Sequence, residues 1–260
     1  MTRCLTLRSD TQAFRFEREM APMVQRWLSS RGLLAKAEYT VPWGICDYVG
    51  LALNKVQVRR RIKFGLRQPI GPALRISILL AVPGASSGKS IPTSELAALY
   101  DGLLSLRRIQ AELDRLQHAG FIKATSPAQY QRTCDWTPLQ RKIVAVELKL
   151  TRTAKAIRQA EANLRLADES YIALPMPLAH RAAARLRNSD APPRSIGIIG
   201  VSGTGHRTIL RSHPHGHARD EVVRMHCAER FWPLLSKTIL SGGGFEGLLE
   251  WGSMDLAKGP

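Results

Sequence analysis

The chain has 260 residues, with 38 Lys and Arg against 21 Asp and Glu, a formal charge of +17 and a pI of about 10.5. At 44% hydrophobic and 23% charged residues, it can bury the core of one large domain or two small ones, which excludes the disordered and low-complexity classes. The basic excess, 28 Arg and 10 Lys, points to a polyanionic partner, nucleic acid ahead of an anionic membrane.

Taken in chain order, residues 11–31 predict an amphipathic helix. Phe16, Met20, Met23, Val24, Trp27 and Leu28 fall on one face. Gly32 closes the helix, and Pro22 bends or delays its start. Two strands at 37–41 and 45–51 flank Pro42 and Gly44. A basic run, VRRRIKFGLR at 58–67, comes next. Residues 70–133 then read as a helical unit: an apolar helix over 72–81, a GASSGKS loop, and a second helix from Pro92-Thr93-Ser94-Glu95. A third helix over 105–118 turns Leu106, Ile109, Leu113 and Leu116 inward, ends at Gly120 and leads into an extended piece from Phe121. Three helices followed by a strand is the order of a winged helix-turn-helix.

Strand patterning returns at 142–150, followed by a helix at 153–166, a strand at 171–174, a helix at 178–187 and strands at 196–201 and 208–211. A last helix at 220–236 precedes a Gly-rich tail. This alternation is α/β. It predicts a discontinuous core of 1–57 and 138–260, interrupted by a winged-helix-like unit at 58–137.

Four cysteines, Cys4, Cys46, Cys134 and Cys227, are far apart without a CxxC pair. They read as reduced thiols of a cytoplasmic protein. The N-terminal stretch has no apolar core of a signal peptide, and the longest apolar run, 76–82, is too short to span a bilayer. No membrane association is expected.

The chemistry concentrates in IVAVELKLT at 143–151. On a strand, Val144, Val146, Leu148 and Leu150 face one way, and Ala145, Glu147 and Lys149 face the other. A carboxylate and an ammonium therefore stand side by side opposite a fully apolar face. Glu-x-Lys alone also suits a strand-edge ion pair, which contributes little when exposed. Three further residues add to it: Asp47, an acid inside the strand-like ICDYVGL; Glu17, at the edge of the first helix's apolar face; and Gln159, on the helix after the strand.

A helix glutamate, a strand aspartate, then Glu-x-Lys on a strand before a Gln-bearing helix resembles the PD-(D/E)xK, or restriction-endonuclease-like, nuclease superfamily. FEREM (16–20), ICDYVGL (45–51), VAVELKL (144–150) and QAEANLRLADESYIAL (159–174) carry the resemblance. It implies a mixed central sheet flanked by helices and a metal-dependent DNA endonuclease, in restriction, defence against mobile DNA, repair or transposition. It further implies that Asp47, Glu147 and the Leu148 carbonyl hold Mg²⁺ or Mn²⁺, and that Lys149 orients the attacking water or offsets phosphate charge. Glu17, or its rival Glu19, would serve a second metal or a metal-bound water, and Gln159 would steady the site.

The charge of the inserted unit gives it a role in gripping DNA: Arg59, Arg60, Arg61 and Lys63 on phosphates, and Arg107, Arg108 and Arg115 on the third helix. An Arg-rich helix face is more often only solvated, and Glu112 and Asp114 dilute this one. The alternatives are a non-catalytic DNA-binding regulator and a protein-docking adaptor on the same scaffold. Double-strand cutting would call for a homodimer or a partner protein.

Several features carry no assignment. GASSGKS has Pro83 where a phosphate-binding loop needs its first glycine, so no nucleotide cofactor is expected. His213, His215 and His217 read as an exposed turn rather than a zinc site. Trp27, Trp43, Trp136 and Trp232 read as core or wedge residues, and the glycines of IGIIGVSGTG (196–205) do not match a dinucleotide fingerprint.

Overall fold

The computed structural model describes residues 14–135, 138–151, 153–188, 195–213 and 219–235. Cys4, Trp136, His215 and His217 lie outside them. A 3₁₀ turn, Glu17–Met20, leads into α1 (Ala21–Ser30), β1 (Leu34–Val41) and β2 (Gly44–Leu53). Then come α2 (Lys55–Lys63), α3 (Ala73–Ala81), β3 (Ile91–Pro92), α4 (Thr93–Ala98), α5 (Leu106–His118), β4 (Ile122–Ser126) and β5 (Gln129–Arg132). The chain continues through β6 (Gln140–Leu148), α6 (Thr153–Asn163), β7 (Glu169–Pro175), α7 (Met176–Arg187), β8 (Ile196–Val201), β9 (His206–Leu210) and α8 (Glu221–Glu229). No helix among the described residues is long and apolar enough to cross a membrane.

The elements form two compact units, one of Met1–Ala52, Lys142–Arg219 and Leu249–Pro260, the other of Leu53–Arg141 and Asp220–Leu248. The first is α/β, with a mixed six-stranded sheet in the order β1-β2-β6-β7-β8-β9. β1 and β2 are antiparallel, β6, β7 and β8 run parallel, and β9 returns antiparallel. Helices α6 and α7 make the crossovers that parallel strands require. The sheet buries both faces. Met20, Val24, Trp27 and Leu28 of the first helical segment cover Val144, Val146 and Leu148. On another cluster, Ala156 and Ala160 of α6 and Ala179 and Ala183 of α7 pack against Ile172, Leu174 and Ile198.

Pro22 sits in the first turn of α1, where its missing N–H costs nothing, so the α-helix proper starts at Ala21. Phe16 does not share the apolar face: it is exposed, and Phe14 packs on the core instead. The 3₁₀ turn rotates Phe16 off the register of an ideal helix. The glycines of β8 serve packing. A Cβ on Gly197 would lie 2.2 Å from the Tyr171 ring, and one on Gly200 would lie 2.5 Å from Met176 Sδ.

In the second unit, α3, α4 and α5 pack around Ile76, Leu79, Leu96, Ile109, Leu113 and Leu116. An antiparallel sheet in the order β3-β5-β4 adds Ile91, Ile122 and Tyr130 to this core. Leu106 is not part of it. It opens the first turn of α5 with 58% of its surface exposed, ahead of the inward face begun by Ile109.

The division also differs from the expected boundaries. Residues 53–57 fall in the second unit, because α2 is continuous across 57 and 58. Helix α8 packs there too, not in the first unit: Val223 and Met225 are buried, and Met225 joins the core of α3 and α5. Arg61 ties it in place through Glu229 at 2.5 Å.

Candidate active site

The acids meet at the end of β6, a central strand of the larger sheet. Residues Ile143 to Leu148 of this strand are all buried, as suits a strand covered on both faces. Alternation sets Val144, Val146 and Leu148 on the α1 side and leaves Glu147 on the other, 1% exposed. On β2, Cys46 and Tyr48 turn inward and Asp47 is half-buried between them. Pairing of β2 with β1 skips the Glu38/Asp47 position, where Glu38 has φ 50, so the ladder is irregular beside Asp47.

Lys149 Nζ is the centre of the cluster. It lies 3.4 Å from Glu17 Oε2, 3.4 Å from Asp47 Oδ2 and 3.9 Å from Glu147 Oε2, and donates to the Leu148 carbonyl at 2.6 Å. Asp47 Oδ2 also accepts from the Leu148 N–H at 2.7 Å, which pins the β2 carboxylate to the end of β6. Glu17 Oε1 accepts from the Leu150 N–H at 3.4 Å. Glu19 instead accepts from the Arg15 N–H at 2.8 Å. Of the two helix acids, Glu17 is the one the structure brings to Lys149.

Burial, then the Asp47 carboxylate, push the Glu147 carboxyl up to about 7, against an Asn163 hydrogen bond and Lys149 that pull it down. Burial acts to lower the Lys149 ammonium, but Asp47, Glu17 and Glu147 together raise it above its ordinary range. The Cys46 thiol behind the acids is pushed well up by burial and then by Glu147.

Among the described residues no group of three or more His, Cys, Asp or Glu side chains is arranged to hold a metal ion. The donors at the end of β6 are two carboxylates and one carbonyl. Glu147 Oε2 is buried without a hydrogen-bond partner among the described residues, an unmet negative site next to Asp47 and the Leu148 carbonyl. A set of hard oxygens with an orphaned acceptor fits a divalent cation such as Mg²⁺.

Gln159 does not join these groups. Its buried Oε1 has no hydrogen-bond partner among the described residues. The α6 residue that reaches the acids is Asn163, one turn further on, whose Nδ2 donates to Glu147 Oε1 at 2.7 Å. Trp43, in the turn between β1 and β2, donates its indole N–H to Asn163 Oδ1 at 3.0 Å. The sequence held one signal for Asn163, its position four residues after Gln159 on the same helix face. It held none for Trp43.

The basic residues divide. Arg59, Arg60 and Lys63 are exposed on α2. Arg61 is 3% exposed, paired with Glu229, and donates to the Leu66 and Gln68 carbonyls, so it cannot meet a phosphate in solvent. Its guanidinium lies over the Trp232 ring at 3.8 Å, filling a place that helix periodicity turned toward the core. On α5, Arg108 and Arg115 flank buried Glu112 at 3.3 and 2.7 Å, and Arg75 holds it from α3 at 2.7 Å. Arg107 instead lines a groove of about 810 Å³ with Thr93, Leu106, Gln110, Asp114 and Gln129.

Cys46, Cys134 and Cys227 form no disulfide among the described residues, and His213 is exposed. No protein-family model and no curated protein matches the chain. A solved structure of a protein of unknown function from Silicibacter pomeroyi is similar at a TM-score of 0.39 and 10% identity, over 87% of this chain and 90% of that one.

Proposed function

We propose that the end of β6 is the active site of a metal-dependent DNA endonuclease with a PD-(D/E)xK core. The observation that carries this reading is the convergence of Glu17, Asp47 and Glu147, from three separate elements, on the Lys149 ammonium. Glu17 and Asp47 lie 132 and 102 residues before Lys149, so they do not reach it through local pairing. The strand order β1-β2-β6-β7, with β6 and β7 parallel across α6, supports the same reading.

Asp47, Glu147 through Oε2, and the Leu148 carbonyl would hold Mg²⁺ or Mn²⁺. A bound cation of this kind supplies Lewis acidity and lowers the pKa of its water. Lys149 keeps a positive charge where negative charge builds on the phosphate. Glu17, on the more exposed side, orients water or assists a second cation. Gln159 would steady the site, or contact a DNA phosphate through its amide NH₂.

The second unit is read as the DNA-binding module. Its order α3-β3-α4-α5-β4-β5, closed by a three-stranded antiparallel sheet, supports a winged helix. Arg59, Arg60 and Lys63 on α2, with Arg107, Arg108 and Arg115 on α5, would meet phosphates. One observation favours a protein-docking role for this unit instead: Leu99, Leu103 and Leu106 are exposed along one short segment.

Conversion of supercoiled plasmid to nicked or linear DNA in Mg²⁺ or Mn²⁺ tests the activity. Asp47→Ala and Lys149→Ala are expected to lose about 10²-fold or more of the rate. Cleavage by both variants at the wild-type rate would overturn the assignment.

A further inference from the structure

Glu147 is not held by the metal-facing residues alone, and what holds it is directional. The Trp43 indole can only donate, so the Asn163 oxygen must face it at 3.0 Å. That fixes the amide orientation without any choice. The Asn163 NH₂ is then turned to Glu147 Oε1, to which it donates at 2.7 Å. With Oε1 engaged, Oε2 is the oxygen left without a hydrogen bond among the described residues, 3.9 Å from Lys149 Nζ. Arg165 lies 4.8 Å over the face of the Trp43 ring.

We infer that Asn163, oriented by Trp43, is the positioning residue that presents Glu147 Oε2 to the divalent cation, a place that Gln159 does not fill. This rests on the metal reading proposed above. A buried carboxylate with neither oxygen fixed can rotate about its last torsion and offer the wrong lone pair. The indole-amide pair removes that freedom through two hydrogen bonds inside one unit of the fold. It also gives the turn between β1 and β2 a second use: Trp43 joins the hairpin, and through it the strand that carries Asp47, to the orientation of Glu147. The two carboxylates are thereby aligned by one connected set of bonds. Outer groups that orient a metal ligand commonly contribute about 10–100-fold to metal affinity.

The test is calorimetric titration of the full chain with Mn²⁺, together with the indole N–H resonances followed during a Mg²⁺ titration. Wild type is expected to bind Mn²⁺, and its Trp43 resonance, identified by its loss in Trp43→Phe, to shift saturably with Mg²⁺. Asn163→Ala is expected to weaken Mn²⁺ about 10–100-fold and to abolish the metal-dependent shift of Trp43. Trp43→Phe, which leaves Asn163 and Glu147 in place, is expected to weaken it less. The double variant should match Asn163→Ala, because the indole acts only through the amide.

Wild-type affinity in Asn163→Ala, additive losses in the double variant, or a larger loss in Gln159→Ala would overturn the inference while leaving the metal reading intact. A wild-type chain that binds no Mn²⁺ would overturn the metal reading and this inference with it. Circular dichroism of each variant separates a lost ligand orientation from a lost fold.

Discussion

At the scale of single residues, the site is a contest between burial and charge, and Glu147 shows it most clearly. Its carboxyl moves from an ordinary value of 4.5 up to about 7, first through burial and then through Asp47. A pKa raised in the folded chain favours that chain while the group is protonated. The contribution is fully present below the unfolded value and is lost as pH rises through about 7. In chelator, the melting temperature of wild type should therefore fall relative to Glu147→Gln between about pH 5 and about pH 8. Parallel curves for the two proteins would contradict this. Added Mg²⁺ should raise the melting temperature of wild type more at the upper end of that range, where the carboxylate is charged.

The same scale shows what the sequence disclosed. Alternation in IVAVELKLT placed Glu147 and Lys149 on one side of a strand, because a period of two depends on the strand alone. Gln159 and Asn163 share a helix face, and only the depth at which α6 lies along the sheet selects between them. That depth is set by the packing of Ala156 and Ala160 against the sheet, which no local pattern records.

At the scale of elements, most segments were legible and their edges were not. Hydrophobic period found α1, α3, α5, α6, α7 and β6, but the 3₁₀ turn at Glu17–Met20 and the exposed start of α5 moved Phe16 and Leu106 out of the core. Arg61 misled for a related reason. It stands in a basic run, and periodicity turns it inward to Glu229 while Arg59, Arg60 and Lys63 remain outside. Removing one partner of a buried ion pair strands the other charge. Arg61→Ala should then cost about 3–5 kcal/mol in urea unfolding, where exposed Lys63→Ala costs far less. Equal midpoints for the two would show that the Arg61–Glu229 pair is not buried in solution.

β8 offers a second check at this scale. Gly197→Ala forces a methyl to within 2.2 Å of Tyr171 and 2.8 Å of the Ser212 N–H, against backbone that cannot retreat. It should lose about 1–3 kcal/mol. Gly205→Ala has nothing within 4 Å and is the control.

At the scale of the whole molecule, only part of the +17 charge is left for the proposed contact with DNA. Much of it is solvated or paired within the fold, as with Arg61 and with Arg75 on Glu112. In the proposed function the exposed basic residues of α2 and α5 would meet a polyanion, while the acids gather at one strand end. Replacing Arg59, Arg60 and Lys63 by Ala should reduce the salt slope of DNA binding by about three and weaken binding alike across sequences. An unchanged slope would remove α2 from the DNA contact. The two-unit division was readable as a change from α/β to helical patterning. The membership of α8 was not, because it comes from contacts with a segment far back in the chain.

In the proposed function, Asp47, Glu147 and the Leu148 carbonyl form a cation site beside Lys149. Anomalous scattering from crystals grown in Mn²⁺ tests it most directly. The expected result is a peak within bonding distance of both carboxylates and the carbonyl, absent in Glu147→Ala. A fully occupied Mn²⁺ elsewhere, with Lys149 still bridging the three acids, would contradict it.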